Sequence, residues 1–590
     1  MAVDMDAAGT AIAVAPATTW TLSDVLRDTA ARHPGRIAID ADDARLTYET
    51  LLASAAGLAQ RLAGAGIGPG DRVGIRVPGG TAELYLAILG VLEAGAAYVP
   101  VDADDSAHRA ETVWREAGVC AVLEEGLQLT VRAPASGRDA PAGPDDDAWI
   151  IFTSGSSGPP KGVAVTHRNA VAFVEAEARL WTVLPEDRVL AGLSVGFDAS
   201  CEELWLAWAN GAALVPAPRC VVRSGADLGP WLAERGVTVV STVPTLAAMW
   251  DDDVLAGVRL LITGGEALGE ELAWRLARGR EVWNTYGPTE ATIVSTAVRI
   301  QPGEPVTIGL PLAGWQVAVV DAAGAPVPFG EPGELAIGGV GLARYLDPEL
   351  DAERFVPNPA LGWERAYRTG DIVRETPSGL AFVGRRDDQV KLGGRRLELG
   401  EVDAHLASAP GVRAAAAAVR RSEAGNEVLV GYVSGELDPA AVRRHLAPRM
   451  PGGIVPLLVV LDELPVRTSG KVDRAALPWP PPAAAAGSFE GGALEGTATW
   501  LAECWTRQLG PLPLGCASDF FELGGSSLAA ARLVSEVRTR FPGVAVADVS
   551  EHRRLGAMAA RLDALGERRG ERVAERTAPP RRWAAAQVAG

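Results

Sequence analysis

Short β-branched runs alternate with segments whose apolar residues recur at helical spacing through most of the chain. The run 71–77 (Asp-Arg-Val-Gly-Ile-Arg-Val) followed by the helical pattern of 81–94 is one such pair. This alternation predicts an α/β architecture with parallel sheets. A proline- and aspartate-rich stretch at 133–147 predicts a surface loop, and the apolar Trp149-Ile-Ile-Phe152 after it predicts a strand. Beyond a proline- and alanine-rich segment at 479–487 the strand pattern stops. Its prolines neither donate to a ladder nor sit inside a helix, as in an interdomain linker. Apolar positions at 3.6-residue spacing over 497–509 and 528–541 then predict a small helical bundle. The Ala-rich start, 1–19, and the Arg/Glu/Pro/Ala mixture of 566–590 lack an apolar face and predict disordered ends.

A length of 590 residues exceeds one hydrophobic core and suggests roughly three or four domains. Against 74 Asp and Glu stand 55 Lys and Arg, a net charge of -19, which argues against a nucleic-acid partner. The five cysteines, odd in number and without a CxxC pair, suit a reducing, cytoplasmic setting. Asp4 and Asp6 stand where a secretory signal needs positive charge. No apolar run approaches the roughly 20 residues of a membrane span; the most apolar, 454–461, is broken by Pro456.

The loop after the predicted strand reads Thr153-Ser-Gly-Ser-Ser-Gly-Pro-Pro-Lys-Gly162. Hydroxyls and backbone N–H groups in such a loop can wrap a polyphosphate, with Lys161 closing it, although it is not the GxxxxGK[ST] loop of ordinary NTPases. Alone it would be a plain turn. Further on stand Leu46-Thr-Tyr-Glu-Thr-Leu51, Glu93-Ala-Gly-Ala-Ala-Tyr-Val-Pro100, Asn284-Thr-Tyr-Gly-Pro-Thr-Glu290, Gly333-Glu-Leu335, Tyr367-Arg-Thr-Gly-Asp371, Gly384-Arg-Arg-Asp-Asp-Gln-Val-Lys391 and Ser469-Gly-Lys-Val-Asp-Arg474. In this order over about residues 20–480 they resemble the amino-acid-activating domains of nonribosomal peptide synthetases, members of the adenylate-forming superfamily. Asp519-Phe-Phe-Glu-Leu-Gly-Gly-Ser-Ser-Leu528 is similar to the attachment motif of peptidyl carrier proteins.

The resemblance implies an adenylate-forming α/β fold: a large N-terminal core, a small mobile α+β subdomain, then an all-α four-helix carrier. The expected division is leader 1–19, core 20–386, subdomain 387–478, linker 479–492, carrier 493–565 and tail 566–590. Implied cofactors are ATP, Mg²⁺ and 4′-phosphopantetheine. The family's ATP-binding positions fall on Thr153, Ser154, Gly155, Ser156, Gly158, Lys161, Gly265, Asn284, Tyr286, Thr289, Asp371 and Arg385. Within these, Tyr286 is expected to stack on adenine, Asn284 to meet the base edge, Asp371 to hold the ribose hydroxyls and Arg385 to reach the ribose and phosphates. Glu290 with Thr153 would hold the Mg²⁺, a hard cation that wants oxygen ligands. Lys471 is the expected catalytic cation, stabilising charge as the substrate carboxylate attacks the α-phosphate. Asp387 falls at the family's hinge, implying rotation between two half-reactions. Leu392-Gly393-Gly394 departs from the family there, lacking a common Arg. His167 matches a position whose role is either catalytic or structural. Ser527 is the implied phosphopantetheine attachment site, to be loaded by a phosphopantetheinyl transferase.

Phe197-Asp-Ala-Ser200 resembles the family's pocket entrance, where Asp198 would pair with an α-ammonium. The remaining pocket positions carry over as Ala199, Glu202, Ser241, Ile262, Gly264, Thr285, Ile293 and Val294, with Lys471. A carboxylate in a water-poor pocket is costly unless a cation meets it, so Glu202 points to a basic substrate. Neighbouring Glu203 is expected to be structural. The set resembles pockets selecting lysine; ornithine and other diamino acids stay close, since one methylene separates substrates by only about 1–3 kcal/mol. Domain order and Ser200-Cys-Glu-Glu-Leu-Trp205 resemble the N-terminal part of poly-ε-lysine synthetases, in which membrane helices and condensing domains follow the carrier. Both a fragment of such a synthetase and a free-standing loading protein fit. The rival readings are an acyl- or aryl-CoA ligase, opposed by Asp198 and Ser527, and a catalytically silent carrier-delivery module, opposed by Lys471, Glu290 and the phosphate loop.

Overall fold

The computed structural model describes residues 19–138, 140–153, 160–224, 227–386, 389–392, 395–450, 454–465, 472–482, 494–512 and 514–577. Two large sheets share one apolar core. The seven-stranded sheet joins parallel strands such as Arg72–Arg76 and Ala97–Pro100 to an antiparallel hairpin, β1 (Asp147–Thr153) and β2 (Lys161–Thr166). Between the sheets run α1 (His167–Leu180) and α2 (Ala199–Trp208). The nine-stranded sheet aligns β3 (Val239–Thr242), β4 (Leu260–Thr263) and β5 (Glu281–Tyr286) in parallel. From Ser200 to Trp208 every residue of α2 is buried, as expected of a helix covered on all sides. A short helix, α3 (Arg219–Ser224), lies beyond it. A five-stranded sheet containing β6 (Trp363–Thr376) and β7 (Gly379–Arg385) completes the core.

A three-stranded sheet follows, β8 (Val412–Arg421), β9 (Glu427–Gly435) and β10 (Leu457–Val460). The C-terminal helices include α4 (Thr497–Leu509), α5 (Ser527–Arg538) and α6 (Leu555–Thr577). Val428, Val430 and Leu457 share one apolar cluster with Trp505, Phe520 and Leu523, so the helices seat on this sheet. Polar contacts fix the seat: Asn426 Nδ2 donates to Gln508 Oε1 at 2.8 Å, and Arg538 pairs with Asp227 of the core at 2.9 Å.

The α/β core and helical bundle thus follow the hydrophobic pattern. The tail differs: where a disordered segment is expected from 566, α6 continues to Thr577. Its Glu, Arg and Ala composition is made of strong helix formers, which propagate a helix already begun on an apolar face. Among the described residues no helix is long and apolar enough to cross a membrane.

Candidate active site

The parallel strands β3, β4 and β5 end together, and α2 begins opposite them, so a cleft opens at their C-terminal ends, the usual place for a ligand in such sheets. A cavity of about 70 Å³ there is lined by Asp198, Ala199, Glu202, Ser241, Gly264, Thr285, Ile293 and Val294. Gly265, Tyr286, Thr289, Asp371 and Arg385 line the same cavity. Strands, a helix start and two loops, far apart in sequence, thereby bring the residues expected for substrate together with those expected for nucleotide. Ile262 is fully buried in the main apolar core and is not among the residues that line this cavity.

Glu202 sits one turn into α2, 2% exposed, with Oε1 lacking a hydrogen-bond partner among the described residues. Burial, with the Asp198 charge adding to it and the Ser241 hydroxyl opposing, pushes its carboxyl up to about 7. Glu203 is a different case: it accepts from the Gly192 N–H at 3.0 Å and the Leu193 N–H at 3.1 Å, tying down the loop that leads to Asp198. Two glycines keep the cavity open. A Cβ on Gly264 would come within 2.4 Å of Thr285 Oγ1, and one on Gly287 within 2.2 Å of the Ile293 carbonyl oxygen. That wall is strained: Thr292 and Ile293 have φ of 58° and 65°, left-handed values that β-branched residues avoid. No feature of the sequence announced this.

On the nucleotide side, Tyr286 donates its hydroxyl to Asp371, and Arg385 pairs with the same carboxylate. Burial and that carboxylate raise the Tyr286 hydroxyl well above its ordinary value, so it stays a donor. Asn284 Nδ2 donates to the Thr307 carbonyl at 2.7 Å, while its buried Oδ1 lacks a partner among the described residues. Glu290 is fully buried and accepts from the Tyr345 hydroxyl at 2.5 Å. Thr153 ends β1 in register with Lys161 on β2, and its buried Oγ1 also lacks a partner among the described residues. A buried carboxylate and an orphaned hydroxyl are suitable donors for Mg²⁺. Lys161 Nζ lies 4.0 Å from Glu398.

Ser154, Gly155, Ser156 and Gly158 of the phosphate loop, Asp387 and Lys471 lie outside the described residues. His167 is fully buried, and its Nδ1 accepts from the Leu22 N–H at 3.2 Å; burial pushes the imidazole down to about 4. It anchors the first helix of the core, the structural alternative of the two.

A second cavity of about 1040 Å³ joins the site to the C-terminal bundle, with Tyr286, Asp371 and Arg385 on one side and Gly524, Gly525, Ser526 and Arg532 on the other. Ser526 Oγ caps α5 by accepting from the Ala529 N–H at 3.1 Å. Capping is thus done by Ser526, and Ser527 is the first residue of the helix itself.

Residues 26–346 match the family described as AMP-binding enzyme, and 499–562 match the phosphopantetheine attachment site. Phosphinothricin tripeptide synthetase PhsC of Streptomyces viridochromogenes is 41% identical over 557 residues, 88% of this chain and 51% of that protein. Delta-poly-L-ornithine synthetase of Acinetobacter baumannii is 34% identical over 574 residues, 91% of this chain and 43% of that protein. The chain therefore spans about half, or less, of the length of these relatives. Among solved structures, holo-PA1221, a nonribosomal peptide synthetase protein with adenylation and carrier domains bound to a vinylsulfonamide inhibitor, matches with a TM-score of 0.79 and 28% identity, covering 93% of this chain and 98% of that one.

Proposed function

Because this chain belongs to the AMP-binding enzymes, as an amino-acid-adenylating ligase with a fused phosphopantetheine carrier, we propose that its substrate is a basic amino acid, L-lysine first and ornithine second. The observation that carries this reading is Glu202, a buried acid lining one cavity with Asp198. Asp198 meets the α-ammonium at the entrance and Glu202 the side-chain cation at the far end. Ornithine stays in view because the poly-ornithine synthetase is among the relatives.

In the first half-reaction the substrate carboxylate attacks the α-phosphorus of ATP, and pyrophosphate leaves with the electron pair of the broken P–O bond. Asp371, Tyr286 and Arg385 hold the nucleotide. Glu290 and Thr153 would hold Mg²⁺, which supplies charge neutralisation on the phosphates when bound. Lys471 and Lys161 would stabilise the developing negative charge. In the second, Ser527 would hold the pantetheine arm, which when bound supplies the thiol that accepts the aminoacyl group as a thioester, with AMP as the leaving group. A phosphopantetheinyl transferase supplies the arm. Condensing or membrane domains, as in the poly-lysine synthetases the sequence resembles, would take over the loaded aminoacyl group.

Amino-acid-dependent exchange of labelled pyrophosphate into ATP tests the reading. Exchange with lysine should exceed that with ornithine, and both should far exceed neutral amino acids. Leucine exchanging as well as lysine would refute it.

A further inference from the structure

The turn between β8 and β9 reads Arg421-Ser-Glu-Ala-Gly-Asn-Glu427, the text of a solvated hairpin tip. The structure nevertheless buries part of it: Ser422 is 8% and Asn426 6% exposed. Side chains of the C-terminal bundle meet Asn426 on both sides. Arg532, on α5, donates to Asn426 Oδ1. Asn426 Nδ2 donates to Gln508 Oε1 at 2.8 Å and to the Gln508 carbonyl at 3.1 Å. Gln508 Nε2 donates in turn to Glu536 Oε2 at 3.0 Å, which fixes the orientation of that carboxamide. A directed chain of hydrogen bonds therefore runs from a guanidinium through two amides to a carboxylate, and Asn426 is the link in it that the bundle does not supply. Beside it the Ala424 N–H donates to the Arg507 carbonyl at 3.0 Å, near the end of α4.

Each amide in this chain is used at both ends, as donor and as acceptor. A buried chain of this kind separates a matched partner from an unmatched one, because a partner lacking one group leaves the others desolvated and unpaired. The attachment loop is seated as closely. A Cβ on Gly524 would stand 3.0 Å from Val428 Cγ1 and 3.4 Å from Leu457 Cβ, so the loop leading to α5 lies directly on β9 and β10. Asn426, Gly524, Gly525, Ser526 and Arg532 all line the cavity that reaches Tyr286, Asp371 and Arg385. We propose that the turn 422–426 is a carrier-recognition element and Asn426 a positioning residue for the second half-reaction, clamping α5 so that an arm attached at the first residue of that helix enters the cavity. The partner this surface fits is a carrier domain with a carboxamide near the end of its first helix and a guanidinium on the helix that starts at its attachment serine. Asn426 acts through the helix it holds. The inference rests on Ser527 as the attachment site and is independent of which amino acid is activated.

The test uses the whole chain in its holo form, with lysine or the amino acid that exchanges best should that differ. Pyrophosphate exchange reads the first half-reaction, and single-turnover loading followed by mass spectrometry reads the second. Asn426→Ala should load about tenfold more slowly, the effect of leaving buried partners unsatisfied, with exchange unchanged. Arg532→Met, which keeps the apolar stem, should slow loading comparably by itself and by at most about twofold when added to Asn426→Ala, since the contact is already gone. Loading by Asn426→Ala that overlays the parent overturns the proposal, and so does a double variant slowed by the product of the two single factors. Exchange that falls in step with loading also overturns it, because the turn would then serve only the fold of the subdomain. Should Asn426→Ala not fold, Asn426→Ser takes its place under the same criteria. A parent chain that acquires its arm elsewhere than on Ser527 overturns that assignment, and the proposal with it.

Discussion

Replacing Glu202 by Gln separates what this acid does for the substrate from what it does to the protein. The carboxyl is pushed from 4.5 up to about 7 by burial. That rise amounts to roughly 3 kcal/mol against the charged form in the empty pocket. The sign follows: a folded-state value above the unfolded one means stability is fully present below about 4.5 and falls as pH rises toward 7. Without substrate, Glu202→Gln should therefore melt higher than the parent at pH 8, and the difference should fade toward pH 5. With lysine the order reverses, because the side-chain ammonium restores what burial removed. A hydrogen bond to a charged group contributes about 1.5–3 kcal/mol, so kcat/KM for lysine should fall on the order of tenfold to a hundredfold in Glu202→Gln. Norleucine should be nearly indifferent to the change. Scanning calorimetry at pH 5 and 8 and pyrophosphate exchange with both amino acids measure the two halves. An unchanged ratio of lysine to norleucine, or a melting difference that ignores pH, refutes the reasoning.

Three further outcomes are expected. Ser527→Ala should abolish aminoacyl loading, read by mass spectrometry of the carrier, while lysine-dependent exchange persists. In Gly264→Ala the new Cβ would meet Thr285 Oγ1 at 2.4 Å, so the lysine KM should rise by about tenfold while shorter diamino acids lose less, a comparison that exchange assays make directly. Arg538→Ala removes the pair with Asp227 at 2.9 Å; single-turnover loading should slow by about two- to fivefold at low salt, with exchange unchanged, because an exposed ion pair contributes only about 0.2–1 kcal/mol.

Much of the site was legible because adenylation spreads its chemistry over short motifs with fixed residue types. Asp198, Glu202, Ser241, Gly264 and Thr285 line one cavity, as the motifs implied. For Ile262 the motif alone does not distinguish a side chain that faces a cavity from one in the core, because an apolar residue on a central strand looks the same in either place. Seating of the helical bundle on β9 and β10 depends on surfaces far apart in sequence, and no local pattern encodes such a fit. The extension of α6 to Thr577 shows that charge-rich text without an apolar face does not by itself exclude a helix.

The left-handed backbone at Thr292 and Ile293 bears on how such a pocket changes over generations. Residues held in that conformation cost of order 1–3 kcal/mol each. Most substitutions that enlarge a binding site empty part of a core and destabilise it by about 2–5 kcal/mol. At Ile293, 5% exposed and on the cavity wall, exchange for Gly or Asn would relieve strain while making room, so the two effects partly cancel. Position 293 is therefore a low-barrier route by which a descendant of this enzyme could acquire a bulkier substrate without first acquiring a stabilising mutation elsewhere.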